Sequence, residues 1–479
     1  MRRVTVGPFN RVEGDLEVRL DVEDGVVRRA EVTAPLYRGF EQILVGRPAL
    51  DALAIVPRIC GICSVSQSIA AAAALRDALG VTPAPNGLLS ANIAHAAENV
   101  ADHLTHFYLF FMPDFARDAY TAKPWHPAVA ARFAATRGEV LRQFLPVRTR
   151  LLEVMGVVAG KWPHSLAFQP GGTTRAIDVG DRVHLLSIVS QLRAFLENVV
   201  FGGPIDEVLA LGDPLALANW CEGRRGDFAT FLVLADDLAL ERLGPGPRTL
   251  MSFGAYAGDP APLFASGVAE ADATPRPLAI DEIAEDVAHA WMREGTGHPA
   301  RTLTVPDANK EGAYSWAKAP RLGGKPAEVG ALARQVIARQ PLVCALAARS
   351  GANVANRVVA RLIESVRLVN AMQSWIGALR LNDPFCINAP VRREGRGAGL
   401  VEAARGSLGH WIELSNGAIT HYQIIAPTTW NFSPRDASGI AGPLEQALEG
   451  TRVGDDGARS VAVQHVVRSF DPCMVCTAH

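Results

Sequence analysis

A chain of 479 residues, 49% hydrophobic and 20% charged, has the composition of a soluble globular protein and the length of two or three average domains. Its net charge of −2, with no long basic run, leaves no nucleic-acid footprint, and no apolar run reaches the ~18–20 residues that span a bilayer. The start, Met1-Arg2-Arg3-Val4-Thr5-Val6-Gly7-Pro8, lacks the apolar stretch of a secretory signal, so a cytoplasmic chain is expected.

Residues 1–35 predict strands: Val4-Thr5-Val6 and Leu16–Leu20 alternate, and Asp24-Gly25 marks a turn before Val26-Val27. From about 47 to 112 the pattern is helical, alanine-rich over 66–79 and with apolar residues at helical spacing over 89–111. Further helices are expected over 129–155, 181–201, 281–294 and 327–376, the last with an amphipathic run from Val354 to Ile376. The stretch 205–325, rich in Gly and Pro, reads as a mixed excursion with β-like pieces such as Arg248–Phe253. Beyond 380, Trp411–Leu414 and Thr420–Ile425 predict a hairpin around Asn416-Gly417. The expected fold is mainly α with peripheral β, an α+β helical body with small N-terminal and C-terminal β elements and no internal repeat.

Seven cysteines in so long a chain do not make a disulfide framework. Cys221, Cys344 and Cys386 stand alone and are expected to be small buried hydrophobes. The other four form Cys60-Gly61-Ile62-Cys63 near the start and Cys473-Met474-Val475-Cys476 at the end. Only a fold that brings both ends to one point unites these pairs, so 1–479 is expected to be one intertwined unit. Four thiolates select soft metals such as zinc, copper(I), nickel or iron. On spacing alone, a structural zinc, a dithiol redox pair and a catalytic metal all stay open. Zinc ribbons place their pairs roughly 15–20 residues apart, so this interval makes a poor staple.

The flanks decide between them. Arg58-Ile59-Cys60-Gly61-Ile62-Cys63-Ser64-Val65-Ser66-Gln67 and Ser469-Phe470-Asp471-Pro472-Cys473-Met474-Val475-Cys476-Thr477-Ala478-His479 resemble the two signatures of the nickel–iron hydrogenase large subunits. Intervening blocks resemble the family in the same order: Asn10-Arg11-Val12-Glu13-Gly14, Arg38-Gly39-Phe40-Glu41, Asp102-His103-Leu104-Thr105-His106-Phe107-Tyr108, Ala403-Ala404-Arg405-Gly406 and Pro427-Thr428-Thr429-Trp430-Asn431. The resemblance implies that all four cysteines bind nickel, Cys60 and Cys473 as terminal ligands, with Cys63 and Cys476 bridging to an iron that carries CO and two cyanides. Hydrogen would then split heterolytically, a thiolate such as that of Cys473 taking the proton. Glu13 becomes the expected proton relay, a role that needs a pKa near the working pH. Arg405 would overhang the metals, with Asp102 and Asp471 grouped about it, and Thr428 and the backbone near Ala404 would hydrogen-bond cyanide. Outside this resemblance, Glu13 would be a surface carboxylate, Asp102 an exposed partner of His106 at i+4, and Thr428 a turn residue satisfying backbone. Glu41, the Ile424 carbonyl and His479 match the ligands of a second site, usually magnesium, although imidazole is atypical on so hard a cation.

Four departures from the family pattern point toward its regulatory, hydrogen-sensing branch or leave a mark without a derived effect. Most members extend past the terminal His and are trimmed after nickel insertion, whereas this sequence stops at His479. Gln67 stands where most catalytic members have His, and an amide cannot take up a proton near pH 7. Ile62 and Phe110 fall where smaller Val and Leu line the gas tunnel elsewhere, against the simpler reading of core packing. Ala404 replaces a Pro that often precedes the arginine. The resemblance implies a hydrogen sensor, oxidising H2 with low turnover, paired with a small subunit that carries the iron–sulfur clusters, as heterodimer or dimer of heterodimers, and signalling to a histidine kinase. The alternatives are an energy-conserving uptake hydrogenase and a non-enzymatic subunit like those of respiratory complex I, which have lost the nickel ligands that stand intact here.

Overall fold

Residues 2–258, 260–270, 274–388, 392–454 and 460–477 are described by the computed structural model. Strands Arg2–Val6, Glu17–Glu23 and Val26–Thr33 form an antiparallel meander in that order. Its alternation buries Val18, Leu20, Ala30 and Val32. Asp24 (φ 52°) and Gly25 (φ 72°) form the left-handed turn foreseen between the last two strands. Residues 450–453 continue the edge: Val27 N–H donates to Thr451 O at 3.0 Å and Gly450 N–H to Val27 O at 2.8 Å. The two chain ends are thus joined before any cysteine is considered.

The body is helical. Pro85–Thr105 runs into a six-residue π turn, His106–Phe111, and packs on Val354–Ala378 and Leu141–Ala159, both of which also pack on Val179–Phe195. One face of Pro85–Thr105 is a buried polar stripe of Asn92, His95, Asn99, Asp102 and His103 at three- and four-residue spacing. His103 Nε2 meets Glu364 at 3.0 Å, and Arg334 joins Glu364 and Glu402 at 2.7 and 2.8 Å, so charges taken from water here are paired.

Several expectations need correction. The helix expected over 129–155 is two, His126–Phe133 and Leu141–Ala159, because the chain turns at Thr136 (φ 65°). That over 327–376 is three, Ala331–Ile337, Pro341–Ser350 and Val354–Ala378, divided at Arg339 (φ 55°) with Pro341, and at Gly351 (φ 70°) with the Asn353 cap. The region 281–294 is not helical: Ile283–Asp286 pairs with Ala319–Leu322, and Met292–Glu294 with Val305–Pro306. Within the supposed mixed excursion, Ile205–Leu209, Pro214–Cys221 and Asp227–Asp237 are helices. Cys221, Cys344 and Cys386 are half-buried rather than core.

Near the C-terminus, Gly395–Ala403, Gly406–Ser415 and Ala418–Ile425 form a second meander, with Asn416 (φ 54°) and Gly417 (φ 81°) at the expected turn. Its first strand lies against the alanine-rich helix Ser64–Leu79 with backbone nearly touching backbone. A Cβ on Gly395, Gly397 or Gly399 would fall 2.3, 2.3 and 2.0 Å from the carbonyl oxygens of Ala78, Ala74 and Ala70. Glycines at a period of two meet alanines at a period of four, which is the repeat of each element. This seating fixes the helix that carries the first cysteine pair against the strand that ends beside Arg405. Among the described residues no helix is long and apolar enough to cross a membrane.

Candidate metal centre

The first pair sits where a short helical turn, Val56–Ile59, gives way to Ser64–Leu79; Cys60 is extended and Cys63 is the N-cap. The second pair is held on the opposite side by main chain: Glu13 N–H donates to Pro472 O at 3.3 Å and Met474 N–H to Glu13 O at 2.7 Å. All four cysteines are buried, and their sulfurs lie within 4.8 Å of one another, with contacts of 3.0 Å (Cys473–Cys476), 3.2 Å (Cys63–Cys476) and 3.5 Å (Cys60–Cys473). A cation about 2.3 Å from each sulfur needs sulfur–sulfur separations of roughly 3.3–3.8 Å, which that range brackets. Hydrogen bonds from Cys473, Cys476 and Cys63 hold the Cys60 thiol well below its ordinary pKa. Cys63 and Cys476 are held well above theirs, each with Cys473 as the first cause, and burial pushes Cys473 up. Four thiols in one dry pocket shed their protons together only for a cation, so the donor set fits a soft metal.

Arg405 is buried between Asp102 and Asp471. Its Nε donates to Asp471 O at 2.9 Å and its Nη2 to Asp102 Oδ1 at 3.0 Å and Asp471 Oδ1 at 3.2 Å, while Nη1 lies 2.7 Å from Asp102 Oδ2, off the hydrogen-bonding line. Asp102 therefore faces Arg405, and His106 instead meets Arg468 O at 2.6 Å. Burial pushes Asp102 up to about 8, against the pull of Arg405. Asp471 is buried too, yet Arg405, His106 and Arg361 keep it below the usual carboxylate range. Burial pulls Arg405 down, but Asp102 and Asp471 together hold it well above its ordinary value, so one fixed cation is braced between two buried carboxylates.

Thr428 Oγ1 accepts from Cys473 N–H at 3.2 Å, which leaves its own hydrogen free to donate. Ala404 is buried and its carbonyl is taken by Arg334 at 2.9 Å. Glu13 is half-buried; burial raises its pKa, Cys60 and Asp471 add to this, and Arg405 opposes them. Gln67 is buried, its Oε1 3.0 Å from His410 Nε2, and His410 Nδ1 is 2.9 Å from Tyr422 Oη. Ile62 packs on the apolar cluster that contains the four cysteines, and Phe110 is half-buried, its carbonyl accepting from Arg11 at 2.8 Å.

Glu41 is buried beside Ile424, whose N–H it accepts at 2.9 Å; its other oxygen takes the Thr304 hydroxyl. Lys318 Nζ lies 3.9 Å from Glu41 and 2.9 Å from Glu285, an ammonium inside the oxygen-rich pocket where magnesium was expected. His479, the third expected ligand, lies outside the described residues.

Two residues that tie the centre together were not singled out from sequence. The Arg38 guanidinium donates to Ile59 O at 2.5 Å and Val475 O at 2.6 Å, bridging the residue before Cys60 and the residue before Cys476. Its presence in the quoted block Arg38-Gly39-Phe40-Glu41 was the available signal. Glu98 accepts from Val65 N–H (2.8 Å), Ser66 N–H (2.9 Å), Ser66 Oγ (2.8 Å) and Trp162 Nε1 (3.2 Å), capping the helix directly behind Cys63.

A buried four-cysteine cluster drawn from both ends of a helical body has the donor set of a soft-metal protein. Residues 38–143 and 140–479 match the family described as nickel-dependent hydrogenase. The chain belongs to that family and is an enzyme of the hydrogenase class. It is 28% identical to the periplasmic [NiFeSe] hydrogenase large subunit of Desulfomicrobium baculatum, covering 100% of this chain and 95% of that one. It is also 28% identical to the quinone-reactive Ni/Fe-hydrogenase large chain of Wolinella succinogenes, covering 100% and 96%. The reduced Ni-Fe-Se hydrogenase from D. vulgaris Hildenborough superposes with a TM-score of 0.85 at 26% identity, over 100% of both chains.

Proposed function

We propose that this chain is the large, active-site subunit of a hydrogen-sensing nickel–iron hydrogenase that cleaves H2 heterolytically. The buried sulfur cluster carries the hydrogenase part of this reading. Cys60, Cys63, Cys473 and Cys476 would hold a nickel–iron pair, the iron bearing CO and two cyanides, which polarises H2 and accepts two electrons. The chain's own residues do the rest. A thiolate, that of Cys473, takes the proton at Sγ, and Glu13, whose backbone is bonded to Pro472 and Met474, passes it outward from its carboxylate. Arg405, braced by Asp102 and Asp471, presents a cation that cannot deprotonate. Thr428 accepts from Cys473 N–H, so its hydroxyl hydrogen would be left to donate to a cyanide. Glu41 and Ile424 would hold magnesium together with His479.

Gln67 supports the sensing reading. It ends a buried Tyr422–His410–Gln67 chain on an amide that takes up no proton near pH 7, so Gln67 itself offers no acid or base beside the first cysteine pair. In this reading a small subunit with iron–sulfur clusters receives the electrons, the assembly is a heterodimer or its dimer in the cytoplasm, and the signal passes to a histidine kinase. An uptake role is the second reading, favoured by the periplasmic and quinone-reactive relatives. Metal analysis of the matured heterodimer should find nickel, with iron in excess of it because of the small subunit's clusters, and infrared bands of CO and cyanide; zinc alone would remove the hydrogenase reading. For the sensor, Gln67→His should raise hydrogen-oxidation turnover, and turnover that stays unchanged leaves the uptake reading in its place.

A further inference from the structure

Between the first strand's exit (Val6–Arg11), the turn Pro113–Arg117, the loop 134–137 and the helix Val461–Ser469 lies a cleft of about 460 Å³, away from the cysteines. Four arginines line it, Arg11, Arg117, Arg137 and Arg468, and none of its lining residues is acidic. One carboxylate sits beneath it: buried Asp114 is 2.6 Å from Arg468 Nη1 and also holds Arg11. Those two arginines are spent on the protein. Arg468 gives its remaining donors to Asn10 and Gln464, and Arg11 gives one to Phe110 O.

The other two are not spent. Arg117 uses one nitrogen on Gln464 Oε1 at 2.8 Å and is 3.8 Å from Asp114, a carboxylate already satisfied. The Arg137 side chain has no hydrogen-bond or ion-pair partner among the described residues and is exposed. A chain of net charge −2 thus gathers four cations over one anion in a concave wall, where low-dielectric sides focus the field. Buried His465, 3.7 Å from Asp114, registers that field: burial first, then Arg468, Arg117 and Arg11, push its pKa down to about 4, against Asp114. Two arginines suffice to neutralise Asp114, so the third and fourth have no structural task.

We propose that this cleft is a binding site for a phosphate-class oxyanion, held by the unspent forks of Arg117 and Arg137 over the Arg11–Arg468 pair. A planar fork of N–H donors matches two oxygens of a phosphoryl group. The cleft is larger than one phosphate, so the same chemistry admits free phosphate or a small phosphorylated metabolite.

The test is calorimetric titration of the matured heterodimer in low-salt, phosphate-free buffer, with inorganic phosphate in one arm and adenosine monophosphate in the other. Saturable binding of either, weakened about tenfold or more in Arg137→Gln and in Arg117→Gln and lost progressively with salt, is the expected result. Tighter binding of the nucleotide assigns the metabolite source, and equal or tighter binding of phosphate assigns the free ion. Because the Arg137 side chain has no hydrogen-bond or ion-pair partner among the described residues, its variant should keep its nickel, which separates lost binding from lost fold. No saturable heat from either probe, as when the small subunit covers the cleft, or undiminished binding in both variants would overturn the proposal.

Discussion

The two cysteine pairs reach one point by different physics. The first is set by shape: an alanine helix lies on a glycine strand at backbone distance, inside an apolar cluster, and Cys60 and Cys63 follow from where that helix begins. The second lies just beyond the helix Val461–Ser469. It is set by directed polar contacts: Glu13 brackets Cys473 through main chain, Arg361 donates to Ser469 O at 2.6 Å, Arg357 stacks 3.7 Å over Phe470, and Arg468 binds Asp114. Shape is intolerant of added atoms, whereas polar contacts are intolerant of a lost partner. Each half of the centre therefore has its own way to fail.

The largest effect should come from adding atoms to the first half. In Gly399→Val the Cβ alone would stand 2.0 Å from Ala70 O and 2.6 Å from Ala74 N, both backbone, so the helix has to move by about an ångström or more. A cost above about 4 kcal/mol is expected, read as loss of soluble subunit or a collapsed melting temperature. Gly156→Ala, which meets nothing within 4 Å, should leave the melt intact. A folded Gly399→Val that retains nickel would show that the first pair is not set by this contact.

Removing a partner from the second half ranks next. Asp114→Asn leaves Arg468 buried without its counter-charge, and losing one member of such a pair costs about 3–5 kcal/mol. Burial would raise the Asp114 pKa, but Arg468, His465 and Arg11 together bring it below the ordinary value, so its contribution is present above the unfolded pKa and is lost as pH falls through the lower folded one. Urea unfolding at neutral pH should register the loss, with nickel released before the fold melts. Equal stability of wild type and variant would remove charge as the tether of the C-terminal segment.

The same division governs what the sequence disclosed. Local signals carried through: Asn416-Gly417 at a turn, the alanine run as a helix, and the neighbours of each cysteine pair as a family signature. Patterns that depend on a distant surface did not. Gly395, Gly397 and Gly399 weigh against a strand by composition and are explained only by the helix they meet. Ile283, Val287 and Ala290 keep helical spacing, but pairing with Ala319–Leu322 overrode it. Glu98 sat as one polar residue in a helical pattern, because the N–H groups it accepts belong to another helix.

That carboxylate offers the finest test, because it caps the helix directly behind Cys63, within the half that shape holds. Burial pushes Glu98 up to about 7, against the donors of Ser66, Val65 and Trp162. A folded pKa above the unfolded value of about 4.5 means that folding takes up a proton. The associated stability is complete below about pH 4.5 and declines as pH rises through 7, by up to about 3 kcal/mol. Glu98→Gln abolishes that decline, since an amide does not titrate, and loses one acceptor facing the Val65 and Ser66 amides, about 1 kcal/mol. The quantity to measure is the change in unfolding free energy between pH 5 and pH 8, wild type minus variant. Glu285 and Glu445, also raised by burial, titrate in both proteins and cancel in that difference, whereas Asp102, which Glu98 helps to raise, shifts down with the substitution. A difference near zero would mean that Glu98 does not titrate in this range, and that the seating of the first cysteine pair does not depend on its charge.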